Sequence, residues 1–100
     1  MEITSKRDND ILTIKIVGRV DTNTAPELET KSMTLITGAK KVVLDFSEVD
    51  YISSAGLRVV LSLHKQMASL EGELVISHAK DEVMEVFDMT GFSSFLIFED

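Results

Sequence analysis

From Thr24 onward the chain alternates helix-like and strand-like stretches at regular spacing, and this alternation constrains the fold more than any other feature of its 100 residues. Thr24-Ala25-Pro26-Glu27 reads as a helix start, with an N-cap threonine, an early proline and a glutamate three residues on in the manner of a capping box. That helix is expected to run to about Thr37, with Ala25, Leu28, Leu35 and Ile36 on one side and Gly38 as its stop. Lys41-Val42-Val43-Leu44-Asp45-Phe46 reads as a short strand buried on both faces, followed by a polar loop. A second helix is predicted from Ser54 to Leu70, closed by Glu71-Gly72, and Glu73 to Ser77 forms the next strand. A third helix from Lys80 to Thr90 turns Val83, Val86 and Phe87 inward, ends at Gly91, and leads to a last strand near Ser94 to Phe98.

Before the alternation begins, Ile11 to Val17 is β-branched and partly alternating. Asp8-Asn9-Asp10 separates it from a short Glu2 to Arg7 strand, so an N-terminal hairpin is expected. The order β-β-α-β-α-β-α-β implies an α/β fold in one domain over residues 1–100, with a mixed, mostly parallel sheet and an antiparallel hairpin at one edge. A chain of this length holds one core but not a second domain.

Composition narrows the function. Seventeen acidic against ten basic residues give a formal charge of −7, which repels nucleic acid and anionic lipid alike. No cysteine is present, so no disulfide framework or thiolate metal site is expected, and a cytoplasmic location is favoured. No stretch approaches the roughly 18 apolar residues of a membrane span, and the first residues carry no apolar export signal. There is no Gly-x-Ser-x-Gly elbow and no phosphate-binding Gly-x-x-x-x-Gly-Lys run, so neither an enzyme nor a cofactor is expected.

The second helix separates by angle. Arg58, Ser62, Lys65, Gln66 and Ser69 share one arc, while Leu57, Val59, Val60, Leu61, Leu63, His64, Met67, Ala68 and Leu70 fill the other. The apolar arc is wider than one sheet contact needs, so its margin near Val59 and Leu63 is open either to a neighbouring helix or to a partner protein. His64, in mid-arc, is expected as a neutral, hydrogen-bonded core histidine.

The start of that helix is the candidate site. Ser53, Ser54, Ala55 and Gly56 are all small, and a glycine in a first turn costs about 1 kcal/mol against alanine, which points to a close approach of backbone or a special turn. A serine N-cap contributes about 1 kcal/mol, which explains one hydroxyl but not both. A helix start accommodates an anion. With Asp45, Glu48 and Asp50 in the adjoining stretch and Arg58 the nearest arginine, a phosphate there is expected to act by repelling a partner rather than by refolding the domain.

Asp45-Phe46-Ser47-Glu48-Val49-Asp50-Tyr51-Ile52-Ser53-Ser54-Ala55-Gly56-Leu57 resembles the signature of the anti-sigma factor antagonists of the STAS family. Gly18-Arg19-Val20-Asp21 resembles the family's first loop, and Phe87-Asp88-Met89-Thr90-Gly91-Phe92 resembles its late helix end. The resemblance implies a non-enzymatic domain that binds an anti-sigma factor with serine kinase activity and frees the sigma factor. Phosphorylation of Ser54 by that kinase switches it off, and a PP2C-type phosphatase restores it. Members often carry aspartate before the target serine where this chain has Ser53, which leaves Ser53 as the alternative site. Asp21 and the stretch from Asp45 to Ser53, including Ser47, Glu48 and Asp50, are then expected on the partner-facing surface with Ser54, Gly56, Arg58, Val59 and Leu63. The same fold also serves as a binding subunit in lipid-transport or stress-signalling assemblies, which is the alternative role. A monomer suits a reversible competitor.

Overall fold

A computed structural model describes all 100 residues, 1–100. Strand β1 (Glu2–Asp8) and β2 (Ile11–Val20) form an antiparallel hairpin, and α1 (Ala25–Leu35), β3 (Lys41–Ile52), α2 (Ser54–Ser69), β4 (Glu73–Ser77), α3 (Asp81–Met89) and β5 (Ile97–Glu99) follow. The hairpin turns at Asn9, whose φ of 56° is left-handed, a conformation asparagine tolerates. A single 3-10 turn, Phe92–Ser94, stands where the last strand was expected to begin, so β5 is shorter than the sequence suggests.

The five strands lie in the order β1-β2-β3-β4-β5, and every pair after the hairpin is parallel. Strand order never reverses. Right-handed crossovers that always step in one direction put every helix on the same face. Leu12, Ile14, Ile16 and Val20 of β2, Val42, Leu44 and Phe46 of β3 and Leu74 and Ile76 of β4 accordingly join residues of all three helices in one core cluster. The opposite face carries no helix: Thr13, Lys15, Val43 and Asp45 stay half-buried there, and Ile97 is 46% exposed. The expectation that β3 is buried on both faces is therefore corrected.

Strand β3 is also longer than expected. Its buried positions run Val42, Leu44, Phe46, then Val49, then Ile52, with the spacing changing from two to three. The register against β2 slips at the same places, between Lys15 and Val17 and between Gly18 and Arg19. Each bulge adds one residue and restores the inward face. The stretch expected as a polar loop is thus the second half of a strand. Because β4 pairs only with Lys41 to Asp45, that second half has β2 alone beside it.

Two further local expectations are revised. Thr24 makes no side-chain cap to α1; its hydroxyl donates to the Arg19 carbonyl at 2.9 Å and accepts from the Asp21 amide at 2.9 Å. Glu27 pairs with Lys31 one turn on instead of reaching back. At the other end of α1, the Arg7 guanidinium donates to the carbonyls of Leu35 and Thr37, both at 3.0 Å, tying the helix to the edge strand. His64 is half-exposed and lies against Phe95, ring centres 5.3 Å apart, rather than in the core.

Candidate functional site

The ends of β2 and β3 meet the start of α2. The Ser53 amide donates to the Val20 carbonyl at 2.8 Å, which fixes the turn out of β3 against the last residue of β2. Ser53 itself is extended, with φ −95° and ψ 175°, and its hydroxyl accepts from the Gly56 amide at 3.3 Å. It is the N-cap, satisfying one of the amides a helix start leaves open. Ser54, the first residue of α2, is exposed, and its hydroxyl has no hydrogen-bond partner within the chain. The two serines are thereby distinguished: one hydroxyl holds the helix and the other faces solvent.

Gly56 is buried beneath them. A Cβ at this position would lie 2.7 Å from Val20 Cγ1, 2.8 Å from Ile52 Cγ1 and 3.1 Å from the Val20 carbonyl oxygen. The glycine lets α2 rest on the ends of two strands, and it is not a surface group that a partner reaches. Val59 and Leu63 are likewise covered, at 5% and 0% exposure. Helix α1 lies alongside, and Ala25, Pro26 and Glu29 share a shallow groove with Ala55, Arg58, Val59 and Ser62. The wide apolar arc of α2 is closed on that side by a neighbouring helix. On its other flank, Leu57, Leu61, Thr90 and Phe92 line a hollow that Ser54 and Arg58 also border.

Asp21 organises the adjoining loop. Its carboxylate accepts from the amides of Asn23 at 3.0 Å and Thr24 at 3.1 Å, and its carbonyl accepts from the Ala25 amide at 2.8 Å. The Thr24 amide, ahead of the Asn23 amide, the Thr24 hydroxyl and the Arg19 charge, outweighs partial desolvation and holds the carboxyl below the usual aspartate range. Arg19 lies with its guanidinium carbon 4.3 Å from the centre of the Tyr51 ring and its Nε 3.7 Å from Asp21. Arg19 and Tyr51 are partners in the parallel register. Tyr51 is 41% exposed, so this cation–π pair forms part of the accessible rim. Both residues stand in the motifs that carry the family resemblance, but the sequence does not pair them, since their pairing depends on a register that two bulges have shifted.

The acidic residues of β3 do not gather around Ser54. Asp45 stands seven positions before Ile52, about 23 Å at a strand rise of ~3.3 Å per residue. Asp45 accepts from the Ser47 amide at 2.9 Å; burial pushes its carboxyl up, but Ser47, His78 and Lys15 outweigh this and hold it low. Glu48 pairs with Lys15 at 2.8 Å, and Asp50 with Lys80 at 2.6 Å. Each lysine donates a hydrogen bond to its carboxylate, and this raises its pKa. The acidic patch expected beside the serine is a row along the strand in which Glu48 and Asp50 are paired with lysines, and a partner that touches both Ser54 and Asp45 has to span most of β3.

No three His, Asp or Glu side chains come close enough to share a metal ion, and no helix is long and apolar enough to cross a membrane.

Residues 2–100 match the STAS domain. Among curated proteins, BtrV of Bordetella bronchiseptica, named as a candidate anti-sigma factor antagonist, is 41% identical over 95 residues, which are 94% of this chain and 82% of that protein. The anti-sigma-B factor antagonist of Listeria monocytogenes is 30% identical over 91% of this chain and 81% of its own length. Among solved structures, a candidate anti-sigma factor antagonist from Thermotoga maritima superposes with a TM-score of 0.92 over 98% of this chain and 86% of its own, at 20% identity. SpoIIAA of Bacillus in its phosphorylated form gives 0.75 over 97% and 90%, at 14% identity. At these identities the structures establish a shared fold.

Proposed function

Because the chain belongs to the STAS-domain family, among its anti-sigma factor antagonists, we propose that it works by partner switching through Ser54. Unphosphorylated, it binds an anti-sigma factor that is also a serine kinase, and the sigma factor is released. Phosphate on Ser54 ends the binding, and a PP2C-type phosphatase restores it. The protein acts in the cytoplasm as a monomer, without catalysis of its own and without contact to nucleic acid.

The observation that carries this reading is the division of labour between the two serines. Ser53 commits its hydroxyl to Gly56, whereas Ser54 presents a free one at an exposed helix start. A phosphate there adds about −1.5 to −2 charge at a helix end whose dipole favours anions, so the domain keeps its fold. A partner lying over Ser54, Arg58 and the Arg19–Tyr51 rim then has to bury that charge. Weakening the complex 100-fold takes about 2.7 kcal/mol, less than the several kcal/mol that desolvating a charge in an interface costs.

The test is incubation with the cognate anti-sigma kinase and ATP, followed by peptide mass spectrometry. One phosphate on Ser54 is expected in the wild type and in Ser53→Ala, and none in Ser54→Ala. Phosphate that persists in Ser54→Ala moves the modification to Ser53 or Ser47. Stable binding without any modification favours a role in another STAS assembly.

A further inference from the structure

We propose that Arg58 is the internal partner of the phosphate on Ser54, an inference that rests on Ser54 being the modified serine. The chain has three arginines. Arg7 is occupied by the carbonyls of Leu35 and Thr37, and Arg19 by Tyr51 and Asp21. Arg58 is exposed and forms neither an ion pair nor a hydrogen bond within the chain. Glu29, across the groove on α1, borders the same space but makes no ion pair with it.

Arg58 stands four residues after Ser54 on α2, a spacing that puts both side chains on one face about one turn apart. Both border the hollow formed with Leu57, Leu61, Thr90 and Phe92. An anion four residues before a cation is the favourable order on a helix, and the phosphate itself complements the N-terminal end at which it stands. The guanidinium fork matches two phosphate oxygens, a geometry that an ammonium does not offer. The modification then changes the surface twice. It adds negative charge at Ser54, and it turns the Arg58 cation back along α2, away from any carboxylate of a partner.

The experiment needs no kinase. Phosphoserine is installed at position 54 of the full chain during translation, and its second ionisation is followed by phosphorus NMR in the wild-type sequence, Arg58→Gln and Lys65→Gln. Lys65 is a second exposed cation on the same helix, about two turns beyond Arg58. The guanidinium favours the dianion, so the phosphate of the wild type is expected to titrate about 0.2–0.4 pH unit below that of Arg58→Gln, the size of an exposed pair one turn apart. Lys65→Gln is expected to follow the wild type. Coincident titrations of Arg58→Gln and wild type overturn the pairing, and so does an equal displacement in Lys65→Gln, which is an effect of net charge alone. Failure of a kinase to modify Ser54 removes the reading on which this inference rests, whereas failure of the phosphorus titration removes only the role of Arg58.

Discussion

Ser53 and Ser54 are neighbours of the same type with opposite duties, and stability measurements separate them. Ser53→Ala removes the N-cap of α2 and is expected to cost about 1 kcal/mol. Ser54→Ala removes a free hydroxyl on an exposed residue and is expected to stay within about 0.5 kcal/mol of wild type, both read as urea midpoints at unchanged slope. Equal losses would contradict the assignment of the cap. Gly56→Ala pits about 1 kcal/mol of helix propensity against a Cβ forced within 2.7 Å of Val20 and 2.8 Å of Ile52. Overpacking costs about 1–3 kcal/mol, so net destabilisation of about 1 kcal/mol is expected, and stabilisation would show that the strand ends yield. Ser32 in α1 is fully buried with its hydroxyl unpaired. Ser32→Ala is accordingly expected to raise stability by about 1 kcal/mol in the same urea experiment. The sequence alone left open which of the two serines caps α2; the extended ψ of Ser53 assigns the cap to it, and a backbone angle is not legible in residue types. The close approach at Gly56, by contrast, was legible, because a glycine in a first turn needs a reason.

Among the elements, the helices and β4 were legible nearly to the residue, and β3 was not. Periodicity identifies a strand by alternate burial, and Phe46, Val49 and Ile52 break that alternation at two bulges, so the strand seemed to stop at Phe46. That misreading also placed Ser47, Glu48 and Asp50 in a loop beside the serine, whereas they lie along the strand with Glu48 held by Lys15 and Asp50 by Lys80. The β2–α1 connection was misread for a related reason: Thr24 has the residue type of a cap, but Asp21 takes the hydrogen bonds. Because the Asp21 carboxyl is held below its ordinary value of 3.8, chiefly by the Thr24 amide, its contribution to stability is complete above that value and is lost as the pH falls through the lower, folded one. Asp21→Asn is therefore expected to melt below wild type at neutral pH, with the difference shrinking in acid. A gap that is constant with pH would show that the charge of Asp21 is not what orders the loop.

At the scale of the whole molecule, a sheet wound in one direction puts all the helices on one side and brings the ends of β2 and β3, the Asp21 loop and the start of α2 to one rim. The alternation of strands and helices made this α/β fold readable, but strand order and the uncovered face depend on crossover direction, which residue types do not encode. A rim on a rigid core transmits a modification by its surface, so phosphorylation is expected to shift amide resonances only near Asp21 to Thr24, Ser53 to Arg58 and Thr90 to Phe92. Changes spread through β1, β4 and α3 would mean that the domain refolds. Whether phosphate on Ser54 abolishes a partner's grip without altering the fold is read from calorimetric titration of the anti-sigma factor with the unmodified chain and with the chain carrying phosphoserine at 54. A loss of affinity of about 100-fold or more, corresponding to about 2.7 kcal/mol, is predicted. Equal affinity for the two forms would contradict it.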